Sequence, residues 1–303
     1  MPMSNHAKGV FIALVGTATW ATTPIFIRYL LTHFALEPLT LAFWRDFIVA
    51  LTLLVVFRAW KPELLRIGRQ DLPFLVAYGS LSLAVFNGTW IYSVKLNGAA
   101  VSTVLAYCSP AFTVLLAWPL LKERVTWRKG LAAALSLIGC AGVAKAYAPE
   151  IWQVNPLGIL VGVLSGLLFA IYGLAGRWSA KRFASPWTVM TYGFLFAAVA
   201  LALSQRPQTA FSLGTAWNGW LILVALAVGP TLVGYGLYTM SLRYLSPTIA
   251  AVISSLEPAL TATLAVVLLF ERLDWTQWLG GGVVLGAVML AQSEPPAAPL
   301  AVE

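Results

Sequence analysis

Apolar runs separated by short polar segments repeat along the chain. Ten can be marked, at residues 8–31, 37–59, 71–96, 98–121, 126–147, 156–180, 186–205, 216–242, 246–270 and 275–292. A helix that crosses the hydrocarbon core of a bilayer needs about 20 apolar residues, and these runs are close to that length or longer. Leu131–Ala144, Leu157–Ile171 and Leu221–Val233 are the clearest, with their flanks. A membrane barrel would instead alternate apolar and polar positions in segments of about ten residues. The runs are continuous, so the pattern predicts an all-α membrane protein of ten spans. The start, "MPMSNHAKG", is short and polar. The first run continues past the length of a signal peptide's apolar region, so no cleaved leader is expected.

Composition agrees with that reading. Of 303 residues, 60% are hydrophobic and 10% charged, against about a quarter charged in soluble domains. The formal charge of +8 is spread over loops and forms no basic face, so nucleic acid is not an expected partner. In a ten-span topology, one side carries both termini and Lys8, Arg58, Lys61, Arg66, Arg69, Lys122, Arg124, Arg128, Lys129, Arg177, Lys181, Arg182 and Arg243. The other carries Arg28, Lys95, Lys145, Arg206 and Arg272. Basic residues favour the cytoplasmic side. Both termini are therefore expected in the cytoplasm, in a bacterial inner membrane. Cys108 and Cys140 lie inside apolar runs and read as small buried hydrophobes rather than a disulfide. His6 and His33 are isolated, so no metal site is expected. The Pro/Ala-rich tail, 293–303, reads as disordered.

The chain repeats itself. "SPAFTVLLAWPLLKERVTW", Ser109–Trp127, aligns without a gap on "EPALTATLAVVLLFERLDW", Glu257–Trp275. Pro110 meets Pro258, Thr113 meets Thr261, Glu123-Arg124 meets Glu271-Arg272 and Trp127 meets Trp275, all at an offset of 148. Gly88 meets Gly236 in the same register. At an offset of 149, Trp20 meets Phe169, Ala21 meets Ala170 and Arg28 meets Arg177. A five-helix unit has been duplicated, giving repeats at 8–147 and 156–292. Five is odd, so the second copy is expected upside down in the membrane, with a substrate site near the midplane.

These residues resemble the drug/metabolite transporter superfamily, and within it the EamA family. The repeated "P-A-x-T…L-L-x-E-R" segments carry the resemblance, with the "WIYSVKL" and "LYTMSLRYLS" stretches that lead into them. It covers nearly the whole chain, roughly Lys8–Gln292, and within that family the sequence looks like the YddG-type exporters of aromatic amino acids. The resemblance implies export of a small metabolite through a central cavity shared by the two halves. Substrates across the family include amino acids, lipophilic cations, nucleotide sugars and nucleosides.

A polar group inside a span is costly unless it faces protein or water. Polar and aromatic residues at helical spacing therefore mark the expected cavity. The stripes are Thr17, Trp20, Ala21, Pro24 and Arg28; Tyr78, Ser82, Phe86 and Thr89; Thr103, Tyr107 and Pro110; Ser165, Phe169, Tyr172 and Gly176; Thr231, Tyr235, Tyr238 and Leu242; and Ser254, Glu257, Pro258 and Thr261. From these, Thr17, Trp20, Tyr78, Ser82, Phe86, Tyr107, Phe169, Tyr172, Tyr235, Tyr238, Ser254 and Glu257 are the candidate substrate contacts. Such rings suit a planar solute. Trp60, Trp127, Trp152, Trp217 and Trp275, at span ends, read as interface anchors. Pro24, Pro110 and Pro258 are candidate kinks or hinges; Pro110 and Pro258 should free the carbonyls of Ala106 and Ser254. Glu257 could bind a substrate ammonium, carry a proton, or be structural. Arg45 and Asp46 are about 100° apart on their helix and read as a structural pair near the outer end of their span. Gly139, Gly142, Gly280, Gly281, Gly282 and Gly286 predict close packing of the fifth and tenth spans at the periphery, with another copy one potential partner.

The favoured function is a secondary exporter of amino acids, aromatic ones preferred. The alternative is a polyspecific exporter of lipophilic cations, since the spans offer no obvious guanidinium for a carboxylate except Arg45. No phosphate-binding loop, zinc motif or nucleophile elbow occurs, so an enzyme is not expected. Nothing in the pattern asks for a cofactor. The expected partners are a small-molecule substrate and the lipid bilayer, and one copy suffices.

Overall fold

The computed structural model describes residues 4–34, 36–121, 126–149, 155–183, 185–204, 213–269 and 274–293. Trp152, Glu123-Arg124, Glu271-Arg272 and residues 294–303 lie outside them. Among the described residues there is no strand; the chain is a bundle of helices.

The first apolar run is two helices, α1 (Asn5–Trp20) and α2 (Thr23–Phe34). Ser4 caps α1 by accepting from Ala7 N at 3.1 Å. A turn at Ala21–Thr22 separates the two, and Pro24 is the second residue of α2. Proline has no N–H to bond back and fits best in a first helical turn, and α2 restarts so that Pro24 falls there. Pro38 opens α3 (Pro38–Trp60) in the same way. Then come α4 (Leu72–Ala77), a π-helical stretch at Tyr78–Ala84, and α5 (Val85–Ala106). Residues nine apart on a straight helix are about 13 Å apart along its axis. Yet Ser93 Oγ and Ser102 Oγ lie 2.8 Å apart, so the chain doubles back within α5. A turn at Tyr107–Cys108 precedes α6 (Ser109–Leu121), whose second residue is Pro110, and α7 (Trp127–Val143) completes the first half.

The second half is α8 (Pro156–Arg182), α9 (Pro186–Ser204), α10 (Trp217–Leu226), a π-helical stretch at Ala227–Val233, and α11 (Gly234–Ser241). It ends with α12 (Pro247–Ser254), a turn at Ser255–Leu256, α13 (Glu257–Leu269) and α14 (Trp275–Gln292). The two π-helical stretches are 149 residues apart, and the two turns before Pro110 and Pro258 are 148 apart. Irregularity thus repeats at the same offsets as the sequence. The exception is instructive: Pro24 aligns with Gly173, and α8 runs unbroken for 27 residues.

Seven stretches of the described residues are long and apolar enough to cross a membrane: Asn5–Leu31, Pro38–Trp60, Arg69–Ser93, Val104–Leu121, Pro156–Arg182, Pro186–Ser204 and Trp217–Ser241. The other three expected spans are helical but shorter or interrupted. α7 has 17 residues, α12 and α13 are divided by the turn before Glu257, and the apolar part of α14 is Trp275–Ala291. Large apolar side chains cover the outside, Leu203, Leu115 and Met289 among them, as a lipid-facing surface requires. Trp60, Trp127, Trp217 and Trp275 are exposed at helix ends.

α7 and α14 pack on each other. A Cβ on Gly280 would lie 2.6 Å from Val143 N, and one on Gly139 2.7 Å from Gly280 O. Gln277 Nε2 donates to Val143 O at 2.9 Å and Lys145 Nζ is 2.6 Å from Asp274 Oδ2 at one end. Arg128 Nη1 reaches Ser293 O at 3.4 Å at the other, so the helices are antiparallel. Gly282 and Gly286 face open space.

Candidate functional site

Seven of the expected contacts gather in one place. Trp20 ends α1 and meets Tyr235 edge-on with ring centroids 4.6 Å apart, Tyr238 at 5.4 Å and Phe169 at 6.1 Å. Phe169 meets Phe86 at 5.2 Å and Tyr238 at 5.7 Å. Tyr172 stacks on Tyr78 at 5.1 Å and Tyr238 at 6.0 Å. Phe169 and Tyr172 stand on the unbroken α8, while four of the rings are placed by irregularities: Trp20 by the break before Pro24, Tyr78 by a π-helical stretch, and Tyr235 and Tyr238 by the helix after the other π-helical stretch. Such stretches rotate the following side chains out of the regular register. Two glycines make room. A Cβ on Gly234 would lie 2.5 Å from the Trp20 ring, and one on Gly173 2.7 Å from the Tyr238 hydroxyl.

Tyr107 and Glu257 form a second group. Tyr107 lies in the turn before α6 and Glu257 opens α13, just after the equivalent turn, so the paired breaks bring them together. The Tyr107 hydroxyl donates to Glu257 Oε2. Tyr107 is buried with Val10, Cys140 and Leu256, and Cys140 Sγ donates to Ser255 O at 3.4 Å. Thr261, four residues after Glu257, donates to the carbonyl of Ala21, the residue after Trp20, which sets this group beside the aromatic one.

Thr17, Ser82 and Ser254 lie outside the ring contacts. The Thr17 hydroxyl donates to Ala13 O and that of Ser254 to Ala250 O, both at 2.8 Å, so the proton of each is held by its own helix. Ser82 is buried in the π-helical stretch Tyr78–Ala84. Pro110 and Pro258 are the second residues of restarted helices and so follow full breaks rather than bends. In the turn before Pro258 the Ser255 carbonyl accepts from Cys140 Sγ at 3.4 Å. At the first break Ala21 O accepts from Thr261 Oγ1 of α13 at 3.0 Å, which ties the two halves together.

Arg45 and Asp46, about 100° apart on their helix, are both buried. The long Arg45 side chain bends back, with Nε 3.2 Å from Asp46 Oδ1. Asn87 Nδ2 donates to Asp46 Oδ2 at 3.2 Å. Sequence reading passed over Asn87. Its signal was the repeat: Asp46 and Asn87 align at 148 with Phe194 and Tyr235, which themselves touch at 5.4 Å.

The EamA-like transporter family model matches the chain twice, over residues 7–145 and 156–292. The chain belongs to the EamA-like transporter family. It is therefore a multi-pass membrane transporter of the drug/metabolite transporter superfamily. An "Uncharacterized transporter" of Archaeoglobus fulgidus is 29% identical over 243 residues, covering 78% of this chain and 83% of the relative. The "Uncharacterized inner membrane transporter YicL" of Salmonella typhimurium is 23% identical over 299 residues, 95% and 96% of the two chains. An "S-adenosylmethionine uptake transporter" of Rickettsia prowazekii is 23% identical over 205 residues, 68% and 65% of the two. One solved structure superimposes with a TM-score of 0.78 over 94% of this chain and 96% of its own, at 20% identity, so it shares the fold. In this EamA-family chain, the aromatic group and the Tyr107–Glu257 pair both sit where elements of the two matched segments meet.

Proposed function

We propose that this EamA-family protein is a secondary transporter that exports amino acids, aromatic ones preferred, from the bacterial cytoplasm by alternating access. In this reading ten membrane helices form two inverted five-helix repeats, 8–147 and 156–292, with both termini cytoplasmic and the substrate near the midplane. The antiparallel packing of α7 and α14, the last helices of the two repeats, supports the inversion.

The observation that carries the reading is the juxtaposition of a carboxylate, Glu257, with a wall of rings from both halves. Glu257 takes the substrate ammonium; Trp20, Phe169, Tyr235 and Tyr238 take its side chain. Ring centroids 4.6–6.1 Å apart are already in contact, so the solute enters by parting them. Trp20 is the ring best placed to move, because the helix breaks directly after it. The Rickettsia relative's named solute, S-adenosylmethionine, also joins an amino-acid group to a planar ring system. A second reading, export of lipophilic cations, is favoured by the same Glu257 among aromatic rings.

Counterflow in proteoliposomes tests the proposal. Labelled tryptophan, phenylalanine, leucine and a lipophilic dication are presented to the parent and to Glu257→Gln. The expected result is uptake of amino acids, faster for aromatic ones, and reduced about tenfold or more in the variant, the scale of losing a charge-assisted contact. Uptake of the dication alone would replace the amino-acid reading with the second one.

A further inference from the structure

The proposed substrate has two charged ends, and Glu257 serves one. Arg45 is the eighth residue of α3, about 10 Å along the helix from its start. It is only 6% exposed. Ala42 and Val49, three residues before and four after it, belong to the same buried cluster as Trp20, Phe169, Tyr235 and Tyr238. Arg45 therefore shares the helix face that packs toward the aromatic group. Tyr235, in that same buried cluster, is within electrostatic range of Arg45, Asp46 and Glu257.

Arg45 is incompletely paired. A guanidinium offers five donors and a carboxylate only acceptors. Asp46 is already engaged at both oxygens, Oδ1 by Arg45 Nε and Oδ2 by Asn87. Arg45 Nη2 is buried and has no hydrogen-bond partner among the described residues. An unmade hydrogen bond on a buried cation is expensive, and such groups are rare in native structures and demand an explanation. A second carboxylate would complete the set. The Asp46–Asn87 pair then serves as a mount: it holds the guanidinium in place and neutralises it when no substrate is bound.

We infer that Arg45 Nη2 is the docking point for the carboxylate of an amino-acid substrate whose ammonium meets Glu257. This rests on the amino-acid reading above and deepens it. The site then recognises a zwitterion by both ends and its side chain by the rings, which distinguishes an amino acid from the amine that lacks its carboxylate.

The test compares counterflow of labelled tryptophan with that of labelled tryptamine, which has the same ring and ammonium but no carboxylate. The parent is expected to favour tryptophan by about tenfold or more, the discrimination that one lost charge-assisted hydrogen bond gives. Removing Arg45 alone would strand Asp46 as a buried unpaired charge, so the main variant is Arg45→Gln with Asp46→Asn, which is neutral and keeps an acceptor for Asn87. Its tryptophan-to-tryptamine ratio should fall by about tenfold. Arg45→Lys, which retains the charge and the ion pair but not the fork of donors, reads the same ratio if the double variant is poorly assembled. A parent that moves both solutes equally overturns the docking point and leaves the transporter of amino acids standing. A parent that moves only tryptamine, or neither, removes the amino-acid reading and this inference with it. An unchanged ratio in the variants, whether rates hold or fall together, assigns Arg45 a structural role only.

Discussion

The Trp20 indole lies against the bare backbone of Gly234, and nothing larger fits there: an added Cβ would sit 2.5 Å from its Cδ1 and 2.8 Å from its Nε1. Gly234→Ala must push the ring into Tyr235 or Phe169, an overpacking that costs about 1–3 kcal/mol. Gly88→Ala, where the new methyl meets nothing within 4 Å, is the control. Tryptophan counterflow is expected to collapse in the first and persist in the second; equal rates would show that Trp20 has no part in the pathway. At the Tyr107–Glu257 pair, Tyr107→Phe deletes only the donor. It should slow counterflow several-fold, less than Glu257→Gln, which is the scale of about 1 kcal/mol for one hydrogen bond. A Tyr107→Phe effect equal to or larger than that of Glu257→Gln would mean the tyrosine acts on its own. At this scale the sequence was legible where chemistry is unusual for lipid. Rings at helical spacing and a carboxylate beside a proline stand out in an apolar run. That Thr17 and Ser254 each donate back to their own helix was not legible, because such a hydroxyl has the same spacing as one that does not. Asn87 was missed because its partner Asp46 is 41 residues away.

At the scale of elements, proline decided the shape. Each of Pro24, Pro110 and Pro258 is the second residue of a helix restarted after a two-residue turn. The prolines showed where helices are interrupted, but breaks rather than bends could not be read from them. Nor could the π-helical stretches at Tyr78–Ala84 and Ala227–Val233: Pro230 explains an irregularity in the second, but Leu81 occupies the matching place in the first. The glycines of the last helix predicted close packing, and structure separates their roles. Gly280 is pressed on the backbone of α7, so Gly280→Ala should cost about 1–3 kcal/mol. Gly282 faces open space, so Gly282→Ala should be neutral or gain about 0.5–1 kcal/mol from helix propensity. Thermal melts in detergent distinguish them, and equal Tm values would show that α7 and α14 are not held by this contact.

At the scale of the whole molecule, the repeat was visible in the residues, and the structure repeats its irregularities at the same spacing. The lengths of the individual crossings were less legible, because turns inside an apolar run leave the run's composition unchanged. The charge asymmetry of the loops makes a separate prediction about orientation. α3 has the Trp44–Trp220 contact near its start, with centroids 4.9 Å apart, while Leu64 and Leu65 beyond its end accept bonds from Thr188 and Tyr192. Glu63 and Asn218 thus lie at opposite ends of the bundle. With Cys108 and Cys140 replaced by Ala, Glu63→Cys should react with an impermeant thiol reagent only from the cytoplasmic side and Asn218→Cys only from the outer side. Reaction of both from one side would refute the orientation.

The bond from Thr261 Oγ1 to Ala21 O spans 3.0 Å and 240 positions of sequence. It fastens the interrupted helix of one half to the interrupted helix of the other, at a carbonyl left vacant by the chain's own irregularity. If the halves pivot during a transport cycle, this contact is a detent: a shallow notch that holds one posture until it is overcome. A neutral bond contributes about 1 kcal/mol, enough to bias two postures roughly fivefold and no more. Thr261→Val keeps the shape and removes the notch. The protein so altered should divide its time more evenly between postures, and spectroscopic distances between spin labels on the two halves should broaden without any loss of fold.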